Sequence, residues 1–102
     1  MGGHRVLADP PEDLRAFVRD ARIAAMPARR TRRLRLLDRV AQAFEPGRAY
    51  PEPEVDAILK AVCDDHCMLR RYLVDESFLS RNRAGVYWRT GGTVDVSRPS
   101  HP

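Results

Sequence analysis

Arginine carries the chemistry available in this sequence. Arg29, Arg30, Arg32, Arg33, Arg35 and Arg39 fall within one short stretch; Arg70 and Arg71 form a second group, and Arg81, Arg83 and Arg89 a third. A guanidinium is planar, permanently charged and able to grip phosphate or carboxylate with two parallel hydrogen bonds, so these positions suit an anionic partner. The first group is the most informative, because four of its members stand at the start of a predicted helix. Positive charge there opposes the helix dipole by ~0.3–1 kcal/mol per residue at low salt. Free backbone N–H groups at the same end attract anions, so a bound phosphate would offset that cost. The alternative is a solvated basic face with acidic neighbours such as Asp38 and Glu45.

A second kind of chemistry is suggested by Cys63, His66 and Cys67, whose helical spacing could bring thiolate and imidazole together, as zinc prefers. No fourth ligand stands at a recognisable distance, and small free cysteines commonly pack in cores. The expectation is no metal and no cofactor. Two cysteines do not make a disulfide framework. Enzyme signatures are missing too: the sequence has no phosphate-cradling glycine loop, nucleophile elbow or metalloprotease helix motif. The chain reads as a binding protein, not an enzyme.

The elements that must position the arginines follow from apolar spacing. Asp9-Pro10-Pro11-Glu12 reads as a helix start, with Leu14, Phe17, Val18 and Ala21 following at helical intervals. Arg22 to Met26 reads as extended, up to Pro27. A second helix spans about Thr31 to Phe44, with Leu34, Leu37, Val40, Ala41 and Phe44 as its core stripe and Arg32, Arg35 and Arg39 opposite. Arg48-Ala49-Tyr50 predicts a short strand. A third helix begins near Pro51 to Pro53 and buries Val55, Ile58, Leu59 and Val62. Asp64 or Asp65 caps a fourth, ending near Glu76. In that helix Leu69, Tyr72 and Leu73 face inward, leaving Cys67, Arg70, Arg71 and Val74 outside. Phe78 to Arg81 and Val86 to Thr90 predict two strands joined at Asn82-Arg83-Ala84-Gly85. Tyr87 and Trp88 must then point to opposite faces, one of them into the core.

This order predicts a fold that is mainly α with a small β-hairpin: a winged helix-turn-helix-like single domain with an N-terminal helical extension. The domain is expected over residues 9–90, with the extension at 9–28, the core at 29–90, and flexible tails at 1–8 and 91–102. Composition agrees with one globular domain: 102 residues, 43% hydrophobic, with 18 basic against 14 acidic side chains for a net charge of +4. No apolar run nears the ~20 residues of a membrane span, and the N-terminus lacks the apolar stretch of a signal peptide. A cytoplasmic protein is the expectation.

Several runs resemble the bacterial family called domain of unknown function 2087: Met26-Pro27-Ala28-Arg29-Arg30-Thr31-Arg32-Arg33, Phe44-Glu45-Pro46-Gly47-Arg48-Ala49-Tyr50, Leu69-Arg70-Arg71-Tyr72-Leu73-Val74-Asp75 and Gly85-Val86-Tyr87-Trp88-Arg89. The resemblance covers roughly Ala16 to Arg89. It implies winged-helix proteins, some carried behind helix-turn-helix regulators, and hence a transcription-linked role. Two function classes therefore stand side by side. In the first, Arg29, Arg30, Arg32, Arg33, Arg35 and Arg39 contact the phosphates of double-stranded DNA, Arg70 and Arg71 enter the groove, and Arg81 and Arg83 touch the flanking backbone. In the second, the domain is a protein-interaction module, and the Cys67/Val74 face or the aromatic hairpin meets an acidic protein or a second copy of the chain. No membrane partner is expected.

Overall fold

The computed structural model describes residues 6–93; the remainder of the two expected tails lies outside the described residues. The inner part of each tail belongs to the packed unit. Leu7 is fully buried, and Thr93 donates from its amide and hydroxyl to the Asp38 carboxylate at 2.5 and 2.7 Å. The structured region thus extends beyond the expected 9–90.

The expected N-terminal α-helix is absent. Glu12–Phe17 forms a 3-10 helix, followed by two short strands, β1 (Val18–Arg19) and β2 (Arg22–Ile23), which pair antiparallel. Asp20 and Ala21, between the strands, take φ of 54° and 62°, the left-handed pair that a tight hairpin turn requires. Long-range bonding explains the departure from helical periodicity. The Ile23 amide donates to the Val62 carbonyl at 2.7 Å and the Ala24 amide to the Phe17 carbonyl at 2.8 Å. Arg22 donates to the carbonyls of Lys60 and Ala61. Distant backbone acceptors thus hold this segment extended.

Helix α1 covers Arg30–Ala41 and buries Leu36, Leu37, Val40 and Ala41. Leu36 replaces Leu34 in the expected stripe because the 3-10 helix lies against α1 and covers an additional flank. The next strand, β3, is Ala49–Pro51, and α2 (Glu52–Lys60) follows it directly. Glu52 and Glu54 in the first turn of α2 complement the dipole, while Arg22 supplies the cation at its other end. Helix α3 spans His66–Asp75; of the two candidate caps, Asp65 does the work, accepting from the Met68 amide at 3.1 Å. Its C-terminus closes with the Phe78 amide donating to Leu73 and the Ser77 amide to Val74, the paired bonds of a Schellman turn. Ser77 stands at the left-handed position, with φ 65°. Gly91 is needed beside it, since a Cβ there would sit 2.6 Å from the Ser77 carbonyl oxygen.

Strands β4 (Leu79–Arg81) and β5 (Val86–Arg89) form the predicted hairpin, but β5 also pairs with β3, giving an antiparallel sheet in the order β3-β5-β4. Tyr50 and Tyr87 are partners across β3 and β5, and both are buried. Of the two hairpin aromatics, Tyr87 enters the core and Trp88 stands on the opposite face of β5, half-buried.

The reading of a mainly α winged helix-turn-helix-like fold is therefore corrected. With 44% of the described residues helical, 16% in strands and two antiparallel sheets, this is a small α/β domain. Helices and sheet share one core, running from Leu14 and Leu36 through Val55, Leu59, Leu69 and Leu73 to Tyr87.

Candidate functional site

Most of the arginines at the start of α1 are occupied within the fold. Arg30 grips the Glu76 carboxylate through two hydrogen bonds of 3.3 and 2.7 Å. Arg33 lies over the Tyr72 ring, 5.2 Å from its centroid, and donates to the carbonyls of Pro27 and Ala28. Arg35 pairs with Asp13 at 2.5 Å, and Arg39 donates to the Asp9 carbonyl. The face expected to look outward is thus the face that holds the N-terminal segment. These pairs shift their acids: the Arg30 hydrogen bond holds the Glu76 carboxyl below its ordinary range, and Arg35 does the same for Asp13. Among the described residues, Arg29 and Arg32 are exposed and have no ion-pair partner.

The second and third groups meet at a groove of about 300 Å³ between α3 and the hairpin. Cys67, Arg70, Arg71, Val74 and Asp75 line it from α3, and Arg81 and Tyr87 from the strands. The four α3 residues expected on the outer side are all present. A more open depression of about 620 Å³ continues around the hairpin turn past Glu52, Arg81, Asn82, Arg83 and Gly85, so Arg81 belongs to both. Asn82 fixes this turn, its side-chain oxygen accepting from the amides of Ala84 and Val86 at 2.9 and 3.1 Å. Arg89, by contrast, is consumed within the fold, donating to the carbonyls of Phe44, Gly91 and Thr93.

The two α3 arginines differ in kind. Arg70 forms an ion pair with Asp56 and has Glu52 4.0 Å away. The Arg70 and Asp56 side chains are only 20% and 25% exposed. A pair this enclosed lies nearer the buried limit, where losing one partner costs ~3–5 kcal/mol. Asp56 therefore neutralises Arg70 within the fold. Arg71 is exposed and, among the described residues, pairs with no acid. Arg81 is also exposed; its guanidinium donates to the Tyr87 hydroxyl at 3.4 Å, and that hydroxyl donates to Glu52 at 3.0 Å. Arg83 is exposed at the turn without an acidic partner among the described residues.

Sequence reasoning did not identify Glu52 and Asp56 as the acids that clamp the groove wall. Their i, i+4 spacing on α2 places them on one face, but the same residues also serve the helix dipole, which masks the signal. Cys63 is buried and Cys67 exposed. Burial pushes the Cys63 thiol up, and the thiol donates to the Asp65 carbonyl. Among the described residues no three histidine, cysteine or acidic side chains are grouped to hold a metal. Nor is any helix there long and apolar enough to cross a membrane.

No curated protein and no solved structure matches this chain. A family model does, over residues 22–89, from Arg22 on β2 to Arg89 at the end of β5. The matched span contains every wall of the groove, and the chain belongs to the bacterial family described as "Uncharacterized protein conserved in bacteria (DUF2087)".

Proposed function

We propose that this domain binds double-stranded DNA, in a transcription-associated role, through the groove between α3 and the β4–β5 hairpin. The observation that carries the reading is the convergence of Arg71, Arg81 and Arg83, all exposed and without an acidic ion-pair partner among the described residues, on adjoining concave surfaces. Unpaired guanidiniums are costly to concentrate unless an anion neutralises them, and a phosphate backbone supplies regularly spaced anions. The start of α1 adds Arg29 and Arg32. It stands beside α3, joined by the Arg30–Glu76 pair and the Arg33–Tyr72 stack.

A second reading has its own observation. Val86 and Trp88 share the outer face of β5, and their partners on β3, Pro51 and Ala49, are exposed. This small apolar strip suits a protein partner or a second copy of the chain. Titration of the protein with random-sequence duplex DNA at two salt concentrations separates the two. The DNA reading expects binding that weakens steeply with salt. An affinity near physiological salt no better than ~10⁻⁴ M, the weak end of ordinary non-specific binding, would leave the protein-partner reading.

A further inference from the structure

We infer that the α3/hairpin groove recognises its nucleic acid by backbone charge and not by base sequence, because Asp56 withholds Arg70 from the partner. This inference rests on the DNA-binding reading of the same groove.

Base readout from a helix needs side chains that match base edges: arginine or lysine for guanine, asparagine or glutamine for adenine, aspartate or glutamate for cytosine. The groove wall offered by α3 consists of Cys67, Arg70, Arg71, Val74 and Asp75. It contains no amide and no hydroxyl. Of its two arginines, Arg70 is engaged by Asp56 and flanked by Glu52, both from α2. Among the described residues, only Arg71 remains a free cation on that wall. The other free cations of the groove and its turn, among the described residues, are Arg81 and Arg83 on the hairpin. There they can meet phosphates along the strand but do not form part of a helix entering a groove. One free arginine and one aspartate on α3 are too small a set to specify a site. Three separated cations are enough to follow a backbone.

The test is a titration of the intact chain against a panel of duplexes of equal length and unrelated sequence, over a salt series. Wild type should bind all of them within about threefold, whereas a base-reading arginine discriminates by roughly 5- to 150-fold. Arg70→Met combined with Asp56→Asn, which removes the pair without stranding a carboxylate, should leave affinity and salt dependence unchanged. Arg71→Ala should weaken every duplex alike and reduce the slope of log K against log salt by about 0.9, the value of one phosphate contact. Asp56→Asn should release Arg70, tighten binding to every duplex and steepen that slope by a similar ~0.9. A duplex preferred more than about tenfold by wild type overturns this inference and leaves DNA binding intact. Failure of wild type to bind any duplex overturns both. If a variant does not fold, the wild-type panel still decides the matter.

Discussion

The start of α1 and the groove beside α3 are both rich in arginine, yet they use it in opposite ways. Along α1, Arg30, Arg33, Arg35 and Arg39 reach back to Glu76, Tyr72, Asp13 and the Asp9 carbonyl. They join the N-terminal segment and α3 to the helix between them. Around the groove, Arg71, Arg81 and Arg83 remain exposed and, among the described residues, without an acid to neutralise them. The density of charge in a sequence therefore says little about its availability. A guanidinium that is already bidentate to a carboxylate, as Arg30 is, has its strongest contact made.

The largest expected effect tests whether both regions rest on one core. Leu36 lies in α1, whose start carries the first cluster, and Leu73 lies in α3 behind the groove; both are fully buried. Leu36→Ala and Leu73→Ala should each destabilise the domain by about 2–5 kcal/mol in urea unfolding. If Leu36→Ala cost less than about 0.5 kcal/mol, the typical value for a surface change, the N-terminal segment would not be packed on α1 as described.

Moving charge separates the two uses of arginine. Replacing Arg71 and Arg83 together by alanine should weaken DNA binding by roughly fivefold per contact near physiological salt, with little change in the melting temperature. Replacing Arg30 and Arg35 should do the reverse, lowering the melting temperature while leaving the salt slope of DNA binding unchanged. Equal effects of both pairs on the slope would mean that the α1 ion pairs open when DNA arrives.

A smaller effect is visible in pH. Because the Arg30 hydrogen bond depresses the Glu76 carboxyl in the folded state, its contribution to stability is complete above the ordinary value of 4.5. It is lost as pH falls through the depressed folded value, where the native carboxylate finally takes up its proton. The stability difference between wild type and Glu76→Gln should therefore be constant near neutrality and shrink only in acid. A difference that grows on acidification would contradict the pairing.

The smallest effect concerns the thiols. Cys67 is exposed in the groove, whereas Cys63 is buried and its thiol pushed up by that burial. A thiol reagent at neutral pH should modify one cysteine quickly and the second only after unfolding. Protection of Cys67 by duplex DNA would further place the nucleic acid in the groove. Fast modification of both cysteines in the native protein would show that Cys63 is not buried.

Local periodicity made α3 legible in detail. The spacing of Leu69 and Leu73 fixes which face is buried, so Cys67, Arg70, Arg71 and Val74 had to share the other. Alternation along β5 required Tyr87 and Trp88 to diverge, though not which of them would be core. The hairpin turn was equally visible, since Asn82 and Gly85 supply the side-chain acceptor and the φ of 80° that it needs.

What no local pattern could provide was long-range partnership. The strand β3 was legible near Tyr50, but its place in the hairpin's sheet was not, since Tyr50 meets Tyr87 far along the chain. Val18 and Ala21 continue a helical apolar spacing, but Val18–Arg19 pairs with Arg22–Ile23, which the Val62 carbonyl and the α2 C-terminus hold in place. The same limit governs the arginines. Sequence alone determined their number, their permanent charge and the helix faces they occupy. Which of them an acid from another element would engage depended on the packing of α1 against the 3-10 helix and of α2 against α3. Ion pairs form across space, and their partners here lie from six to forty-six residues apart.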